Sequence, residues 1–267
     1  MTLCGTMTLV TLGVPQEQIC HLSQTLGLPV RPAPEGTAEN AEPAAGKGAT
    51  AAPGYGASCS GHGGAVPADI PACLIIGEAG TEAISATFQK GYRAWIELGP
   101  PQESTFPAAL GRLPATGIYA SFTTLTAARL ELAHGLWLAI QQAWPVSGLE
   151  EGDVELAVHE AIVNALVHGN LQVESMKGLS LGAIEQYSSD LGSHMADPAL
   201  ARRRVEITAT FEAGALEVEV ADEGSGFTTD VPPDSAACGR GLALIAMLTA
   251  HYELLDGGRR IRMRFPS

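Results

Sequence analysis

Apolar and polar residues alternate along two adjacent stretches in the last third of the chain. The apolar positions are Val205, Ile207, Ala209 and Phe211 in the first stretch, and Leu216, Val218 and Val220 in the second. Successive side chains of a strand point to opposite faces of a sheet, so each stretch predicts a strand with one buried face. Residues 213–215 between them predict a turn. The pattern therefore predicts a hairpin whose second strand ends at Asp222.

Residues 157–167 carry apolar side chains at helical spacing, which predicts a helix with a wide buried face. Glu160, Asn164 and His168 follow one another at steps of four and so share a stripe beside that face. Carboxylate and amide oxygens one turn apart can orient a water or hydroxyl and can ligate magnesium. An ordinary solvated helix edge has the same pattern, so this stretch alone leaves both interpretations open.

Strand and helix patterns alternate in the N-terminal part of the chain. Strands are predicted over residues 7–14, 73–76 and 93–98, and helices over residues 16–28, 81–90 and 104–111. This rhythm predicts a small parallel α/β layer. Residues 31–71 are rich in Ala, Gly and Pro and have few bulky side chains, which predicts a long, loose, low-complexity loop.

A second domain is predicted to follow, which divides the chain into residues 1–111 and 112–267. It opens with an edge strand over residues 118–122 and a helix over residues 126–143, and then reaches the helix of Glu160. Residues 171–202 separate that helix from the hairpin and are interpreted as an insertion. Ile184, Tyr187 and Leu191 lie on one helical face, so one or two short helices are expected there.

Charge and cysteine content exclude several classes of function. The net charge is −14 and only fifteen Lys and Arg residues are spread along the chain, which argues against a nucleic-acid partner. No leader pattern and no membrane-length apolar run is present, so a cytoplasmic protein without a membrane partner is expected. The five cysteines are scattered, as is typical of reduced thiols. Arg260, Arg262 and Arg264 alternate on the last strand and are expected to face glutamates of neighbouring strands.

Two pairs of glycines complete the candidate chemistry. Gly224 and Gly226 follow Asp222, and they would let a ligand approach the backbone closely. Gly239 and Gly241 precede an apolar helix, whose free N-terminal amides favour an anion. A carboxylate at Asp222 could accept a hydrogen bond from an exocyclic amine such as that of adenine.

Three segments together, HEAIVNALVHGN, DEGSGF and GRGL, resemble the nucleotide-binding motifs of the superfamily of gyrase, heat-shock chaperone and histidine-kinase ATPases. Within it they are most similar to the anti-sigma-factor serine/threonine kinase branch, because only residues 228–238 separate the two glycine boxes. The resemblance covers residues 113–265. It implies an α/β fold of the histidine-kinase ATPase type, a two-layer α+β sandwich with a mixed sheet and helices on one face.

The resemblance also implies a role for each motif residue. Glu160 is the candidate general base, Asn164 the magnesium ligand and Asp222 the residue that reads adenine. The glycines that would shape the pocket walls and the phosphate cradle are Gly224, Gly226, Gly239 and Gly241. The remaining motif positions that would bind the nucleotide are His168, Phe227, Arg240 and Leu242. The implied cofactors are ATP and Mg²⁺.

The segment ATFQKGYRAWIELGPP distantly resembles the last third of a phospho-receiver domain. It departs from the receiver pattern at the chemistry, because Gly77 follows the strand where an acidic phosphoacceptor would be sought, and Gly99-Pro100 replaces a Lys-Pro pair. The resemblance implies a degenerate receiver-like domain in residues 1–111. An unrelated small α/β module remains the alternative.

The function implied is an ATP-dependent serine/threonine protein kinase that phosphorylates an antagonist protein in partner switching. The implied partners are a STAS-type anti-anti-sigma protein and a sigma factor, and a homodimer is left open. Two alternatives stand beside it. One is a nucleotide-dependent binding switch without chemistry, and the other is a histidine-kinase catalytic half acting in trans, which the short spacer between the glycine boxes disfavours.

Overall fold

The computed structural model describes residues 8–26, 30–33, 72–99, 117–145, 148–176, 178, 180–226 and 240–266. The strands are β1 (Thr8–Leu12), β2 (Val30–Pro32), β3 (Ala72–Ile76), β4 (Tyr92–Glu97), β5 (Ile118–Thr123), β6 (Arg204–Glu212), β7 (Ala215–Asp222), β8 (His251–Leu255) and β9 (Arg260–Pro266). The helices are α1 (Gln16–Leu26), α2 (Thr81–Ser85), α3 (Thr124–Ala127), α4 (Leu132–Ala143), α5 (Glu151–Val163), α6 (Leu181–Ala196), α7 (Pro198–Ala201) and α8 (Arg240–Leu248). A π-helical segment, Asn164–Asn170, continues α5.

All nine strands form one mixed sheet in the order β2-β1-β3-β4-β5-β6-β7-β9-β8. Strands β1 to β5 are parallel, and the pairs from β5 to β8 are antiparallel. The predicted edge position of β5 is therefore wrong, since β5 pairs with β4 on one side and β6 on the other. The sheet continues across the predicted domain boundary at residue 111, which itself lies outside the described residues.

One face of the sheet carries the main hydrophobic core. Helices α2, α4, α5 and α8 pack on this face, and the predicted hairpin of β6 and β7 contributes its apolar positions to it. Trp95 of β4 and Phe122 of β5 are fully buried there, so the same core runs beneath both the parallel and the antiparallel strands. This layer of helices on a mixed sheet confirms the α/β character predicted from the sequence.

The opposite face changes character along the sheet. Over the parallel strands it holds a smaller apolar cluster that includes Leu9, Ile75 and Ile96, against which Leu22 of α1 packs. Over the antiparallel strands it is charged: Arg260 and Arg262 of β9 bond to Glu219 of β7, with N–O distances of 2.9 and 2.6 Å. The expected match between the arginines of the last strand and neighbouring glutamates is confirmed for this pair of strands.

Several predicted elements have different limits in the structure. The loop expected over residues 31–71 begins instead as the short strand β2, whose Pro32 is tolerated because β2 lies at the sheet edge. The helix expected over residues 81–90 ends at Ser85 and continues as turns. The remainder of that loop, residues 34–71, and the helix expected over residues 104–111 lie outside the described residues.

The helix expected over residues 126–143 is split into α3 and α4. Thr123 caps α3, since its hydroxyl accepts a hydrogen bond from the Thr126 amide. The Glu97 carboxylate accepts hydrogen bonds from the Thr123 amide (2.6 Å) and the Thr126 hydroxyl (2.7 Å), which ties this short helix to β4. The chain then turns before α4 starts at Leu132, so that α4 packs on the core.

The insertion forms one long helix, α6, and the short helix α7. The sixteen residues of α6 exceed the short helices that were expected, and no residue of α6 is fully buried. Ile184 keeps 43% of its surface exposed. His194 near the end of α6 bonds through Nδ1 to the Leu171 carbonyl at 2.6 Å, which fixes the helix to the start of the insertion.

No helix among the described residues is long and apolar enough to cross a membrane. The two described cysteines, Cys20 and Cys73, are free thiols. Burial raises the pKa of the Cys73 thiol to about 12, so that side chain is an unreactive part of the core.

Candidate functional site

Glu160 and Asn164 lie one turn apart at the junction of α5 and its π-helical continuation, as the sequence predicts. Both side chains are half-buried, while their helix neighbours Ala161 and Ala165 are buried in the core. The helix therefore fixes the backbone by burial and leaves a carboxylate and a carboxamide partly accessible. A partly accessible carboxylate beside a carboxamide oxygen could serve as a general base next to a metal ligand.

The second glycine box meets this pair directly. A Cβ atom placed on Gly241 would lie 2.9 Å from Oε2 of Glu160 and 3.2 Å from Nδ2 of Asn164. The start of α8 thus approaches α5 closely at this point, and a side chain at position 241 would crowd the ends of both polar side chains. The neighbouring Leu242 is partly buried against the main core.

Asp222 ends β7, where the sequence places it. Its amide donates to the Arg259 carbonyl (2.9 Å), and its Oδ1 accepts from the Gly224 amide (2.7 Å). Burial raises the pKa of the Asp222 carboxyl to about 6, against the opposing effects of the Gly224 amide and the positive charges of Arg259 and Arg203. A carboxylate held half-buried in this way gains from an added hydrogen-bond donor, which is what an exocyclic amine provides.

Gly169, near the end of the motif helix, lies directly against the Asp222 carboxylate. A Cβ atom on Gly169 would lie 2.6 Å from both carboxylate oxygens of Asp222, and one on Gly224 would collide with the Gly169 carbonyl. Two glycine backbones therefore bring the helix and the strand end together. Gly226, with φ +74°, passes equally close to the Gly257 carbonyl. Gly169 was missed by sequence analysis, although it stands inside the first motif.

Asn170 is a second residue that sequence analysis missed, and it is completely buried. Its Nδ2 donates to Thr124 Oγ1 and to the Arg204 carbonyl, both at 2.9 Å. Its Oδ1 accepts from the Glu223 amide at 2.8 Å. Its polar side chain at the end of the motif stretch HEAIVNALVHGN was the available signal, but its burial cannot be read from the sequence. The sequence does not reveal these three partners, which come from distant segments.

His168 has a structural contact. Its ring is exposed, and Nδ1 bonds to the Val173 carbonyl at 2.7 Å, which closes the turn after the π-helical segment. Phe227 and Gly239 lie outside the described residues, and Arg240 is described only as the first residue of α8. The structure thus brings together Glu160, Asn164 and Gly241 at one contact, and a second contact joins the end of the motif helix to Asp222 and Gly224.

The family described as "Histidine kinase-like ATPase domain" matches residues 123–265, more than half of the 267-residue chain. The chain belongs to this family. No curated protein matches the chain. ATP binding is the property that membership implies for residues 123–265.

The residues of this ATPase domain suit a nucleotide with a metal ion. Glycine backbones stand where a side chain would fill the space beside Glu160, Asn164 and Asp222. Oxygen donors such as the Asn164 carboxamide are the ligands magnesium prefers. His134 bonds through Nδ1 to Glu155 at 2.7 Å and joins α4 to α5.

Proposed function

We propose that the protein binds MgATP through residues 112–267 and transfers a phosphoryl group to a serine or threonine of an antagonist protein. The observation that carries the proposal is the contact of Gly241 with both Glu160 and Asn164, because it sets the second glycine box directly on the candidate base and metal ligand. The short spacer of residues 228–238 between the glycine boxes supports the anti-sigma-factor kinase branch.

Each residue of the site has a separate task in this proposal. Glu160 takes the proton of the acceptor hydroxyl while the hydroxyl oxygen forms a bond to the γ-phosphorus of ATP. The bond between this phosphorus and the β–γ bridging oxygen breaks, and ADP leaves with that oxygen. Asn164 would hold magnesium, whose charge would offset that on the phosphoryl oxygens. Asp222 accepts a hydrogen bond from the adenine amine. Gly224 and Gly241 keep the walls free of side chains.

Partner switching is the proposed output. In this proposal a STAS-type antagonist is the phosphoryl acceptor and a sigma factor is the alternative ligand, with each partner binding one state. A nucleotide-dependent switch without chemistry would use the same binding residues, and a histidine kinase acting in trans would label histidine instead of a hydroxyl.

The decisive experiment incubates the full chain with radiolabelled ATP and a STAS-domain protein. Label on serine or threonine is the expected result. Binding of ATP without label on the partner would favour the switch without chemistry, and acid-labile label on histidine would favour the histidine kinase. Absence of ATP binding would refute the proposal.

For residues 1–111 we propose a degenerate receiver-like layer without a phosphorylation site. The parallel strand order β2-β1-β3-β4-β5 is that of a doubly wound sheet, whose ligands bind at the carboxyl ends of the strands next to the switch in direction. Here the ends of β1 and β3 are closed by backbone, since Gly77 donates to the Leu12 carbonyl (2.8 Å) and Glu78 to the Gly13 carbonyl (2.9 Å).

Treatment of the protein with acetyl phosphate tests whether residues 1–111 can be phosphorylated. Asp69 is the only aspartate in residues 1–111, and it precedes β3 instead of following it. Mass spectrometry is expected to find no acid-labile adduct in this part of the chain. An adduct on Asp69 would overturn the degenerate-receiver interpretation.

A further inference from the structure

Asn170 uses every hydrogen-bonding group of its side chain. Both Nδ2 hydrogens are donated, to Thr124 Oγ1 and to the Arg204 carbonyl, while Oδ1 accepts from Glu223. Its own carbonyl accepts from Arg203 Nη1 at 2.7 Å. One buried carboxamide therefore joins the end of the motif helix to α3, to β6 and to the residue after Asp222.

The segment from Asp222 to Gly224 is held from three sides. The Asp222 amide bonds to the Arg259 carbonyl (2.9 Å), and the Glu223 amide bonds to Asn170 (2.8 Å). The Glu223 carboxylate accepts from the Arg204 amide (2.8 Å). Since Gly169 lies against the Asp222 carboxylate, the position of Asn170 also determines how closely the helix end encloses that carboxylate.

We propose that Asn170 is a positioning residue that fixes the Asp222 carboxylate for adenine, and so sets the selectivity of the site for adenine over guanine nucleotides. This inference rests on the proposed ATP-binding function. Asn170 itself is buried behind the site and acts through Glu223 and Gly169, with no contact to the nucleotide required.

The selectivity follows from the chemistry of the two bases. Adenine presents an amine at the position where guanine presents a carbonyl oxygen. A carboxylate can only accept, so it attracts the amine and repels the carbonyl. The difference in affinity between adenine and guanine nucleotides is largest when the carboxylate is held at one position. A carboxylate free to move away loses the bond to adenine and also the repulsion of guanine.

The test compares ATP and GTP affinity by titration calorimetry in the full chain. Asn170→Ala is expected to weaken ATP binding about tenfold, the effect of losing a restraint of one to two hydrogen bonds, while GTP binding stays constant or improves. Thr124→Val keeps Asn170 and removes one of its hydrogen-bond acceptors, so a smaller loss of ATP affinity relative to GTP affinity is expected. This variant replaces Asn170→Ala in the test if Asn170→Ala does not fold.

The matched control is Thr87→Val. Thr87 is equally buried and hydrogen-bonded, accepting from Trp95 Nε1 (2.9 Å) and donating to the Ile84 carbonyl, but it lies beside β4 away from the site. Its substitution should lower stability and leave the ratio of ATP to GTP affinity unchanged. Equal losses of ATP and GTP affinity in Asn170→Ala and Thr124→Val would overturn the inference and indicate a purely structural role.

A second readout does not depend on the nucleotide. The ¹³C NMR titration of the Asp222 carboxyl, assigned with Asp222→Asn, has an expected midpoint of about 6 in the unaltered protein and a lower one in Asn170→Ala, because the carboxylate is then less enclosed. An unchanged midpoint would refute the positioning role. If the unaltered chain binds no ATP but the midpoint moves, the proposed function fails while the effect of Asn170 on Asp222 stands.

Discussion

The parallel and antiparallel halves of the sheet both bring glycine backbones into close contact, yet with different results. In the parallel half Gly13 meets the Glu78 carbonyl, and the contact closes the strand ends with main-chain groups only. In the antiparallel half Gly169 meets the Asp222 carboxylate and Gly241 meets Glu160 and Asn164. A close contact of a glycine backbone therefore indicates a candidate site only where polar side chains with a candidate function lie at that contact.

The two halves also differ in what covers them. Parallel strands β1, β3 and β4 have apolar side chains on both faces, as expected of strands buried on both sides. The antiparallel strands carry the core on one face and an ionic network on the other. The described strands of the parallel half are thus packed on both faces, whereas the candidate site residues Glu160, Asn164 and Asp222 lie with the antiparallel half.

The largest expected effect is on chemistry in the antiparallel half. Glu160→Gln keeps the size of the side chain but removes the base, so phosphotransfer should fall by a factor on the order of 100 to 10,000 while MgATP binding is retained. Asn164→Ala should instead lose the magnesium-dependent part of the affinity. Transfer assays paired with calorimetry separate the two results.

The control for this prediction is Glu155→Gln on the same helix, since Glu155 contacts His134 and not the glycine box. It should transfer at the normal rate. A normal transfer rate in Glu160→Gln itself would remove the base from the site and favour the switch without chemistry.

Asp222→Asn should weaken ATP about 10- to 150-fold, since a hydrogen bond to a charged group contributes about 1.5–3 kcal/mol. In the unaltered protein ATP affinity should fall as the pH is lowered through about 6, where the carboxylate becomes protonated. In the variant the affinity should be nearly independent of pH over this range. Unchanged affinity in a folded Asp222→Asn protein would exclude Asp222 from the site.

The raised pKa of Asp222 also predicts that folding stability depends on pH in the direction opposite to ATP affinity. Its folded-state pKa of about 6 lies above the ordinary value of 3.8, so the folded protein binds the proton more tightly than the unfolded chain does. Asp222 should therefore stabilise the fold increasingly as the pH falls from about 6 to about 4, and should oppose folding above that window. Urea unfolding at pH 5 and pH 7.5 should show this pH-dependent difference between the unaltered protein and Asp222→Asn.

Paired glycine substitutions test the comparison between the halves. Gly13→Ala places a side chain at φ +66° against the Glu78 carbonyl, so it should lower the free energy of unfolding by about 1–2 kcal/mol and leave ATP affinity unchanged. Gly241→Ala should have the reverse pattern, with nearly unchanged stability and roughly tenfold weaker ATP binding, because its Cβ would crowd Glu160. Equal effects on ATP in both variants would contradict the division of roles.

The smallest effect is expected on the ionic face. Burial raises the pKa of the Glu219 carboxyl, but the hydrogen bonds and charges of Arg260 and Arg262 outweigh it and hold that pKa below 4.5. Glu219→Gln should lower stability by about 0.5–1 kcal/mol at neutral pH. The difference should vanish as the pH falls through the folded-state pKa of Glu219. Glu217→Gln, whose carboxylate is more exposed, should change stability less.

The sequence was sufficient for elements whose evidence is local. Alternation predicted β6 and β7, and the spacing of Glu160 and Asn164 placed them one turn apart. The position of β5 inside the sheet could not be predicted, because its partners β4 and β6 lie far away in the chain. The role of Asn170 was hidden for the same reason. The π-helical continuation of α5 leaves no periodicity long enough to detect.

Glu97 of β4 connects the parallel half of the sheet to the antiparallel half through hydrogen bonds. Its carboxylate accepts from the Thr123 amide at the start of α3, and its carbonyl accepts from Arg204 Nη2 (2.8 Å). Thr124, the first residue of α3, accepts from Asn170 Nδ2. An axial shift of β4 would pull on α3 and on β6 at once. These bonds connect β4 to the segment that follows Asp222, so a displacement of β4 would be transmitted to the end of β7.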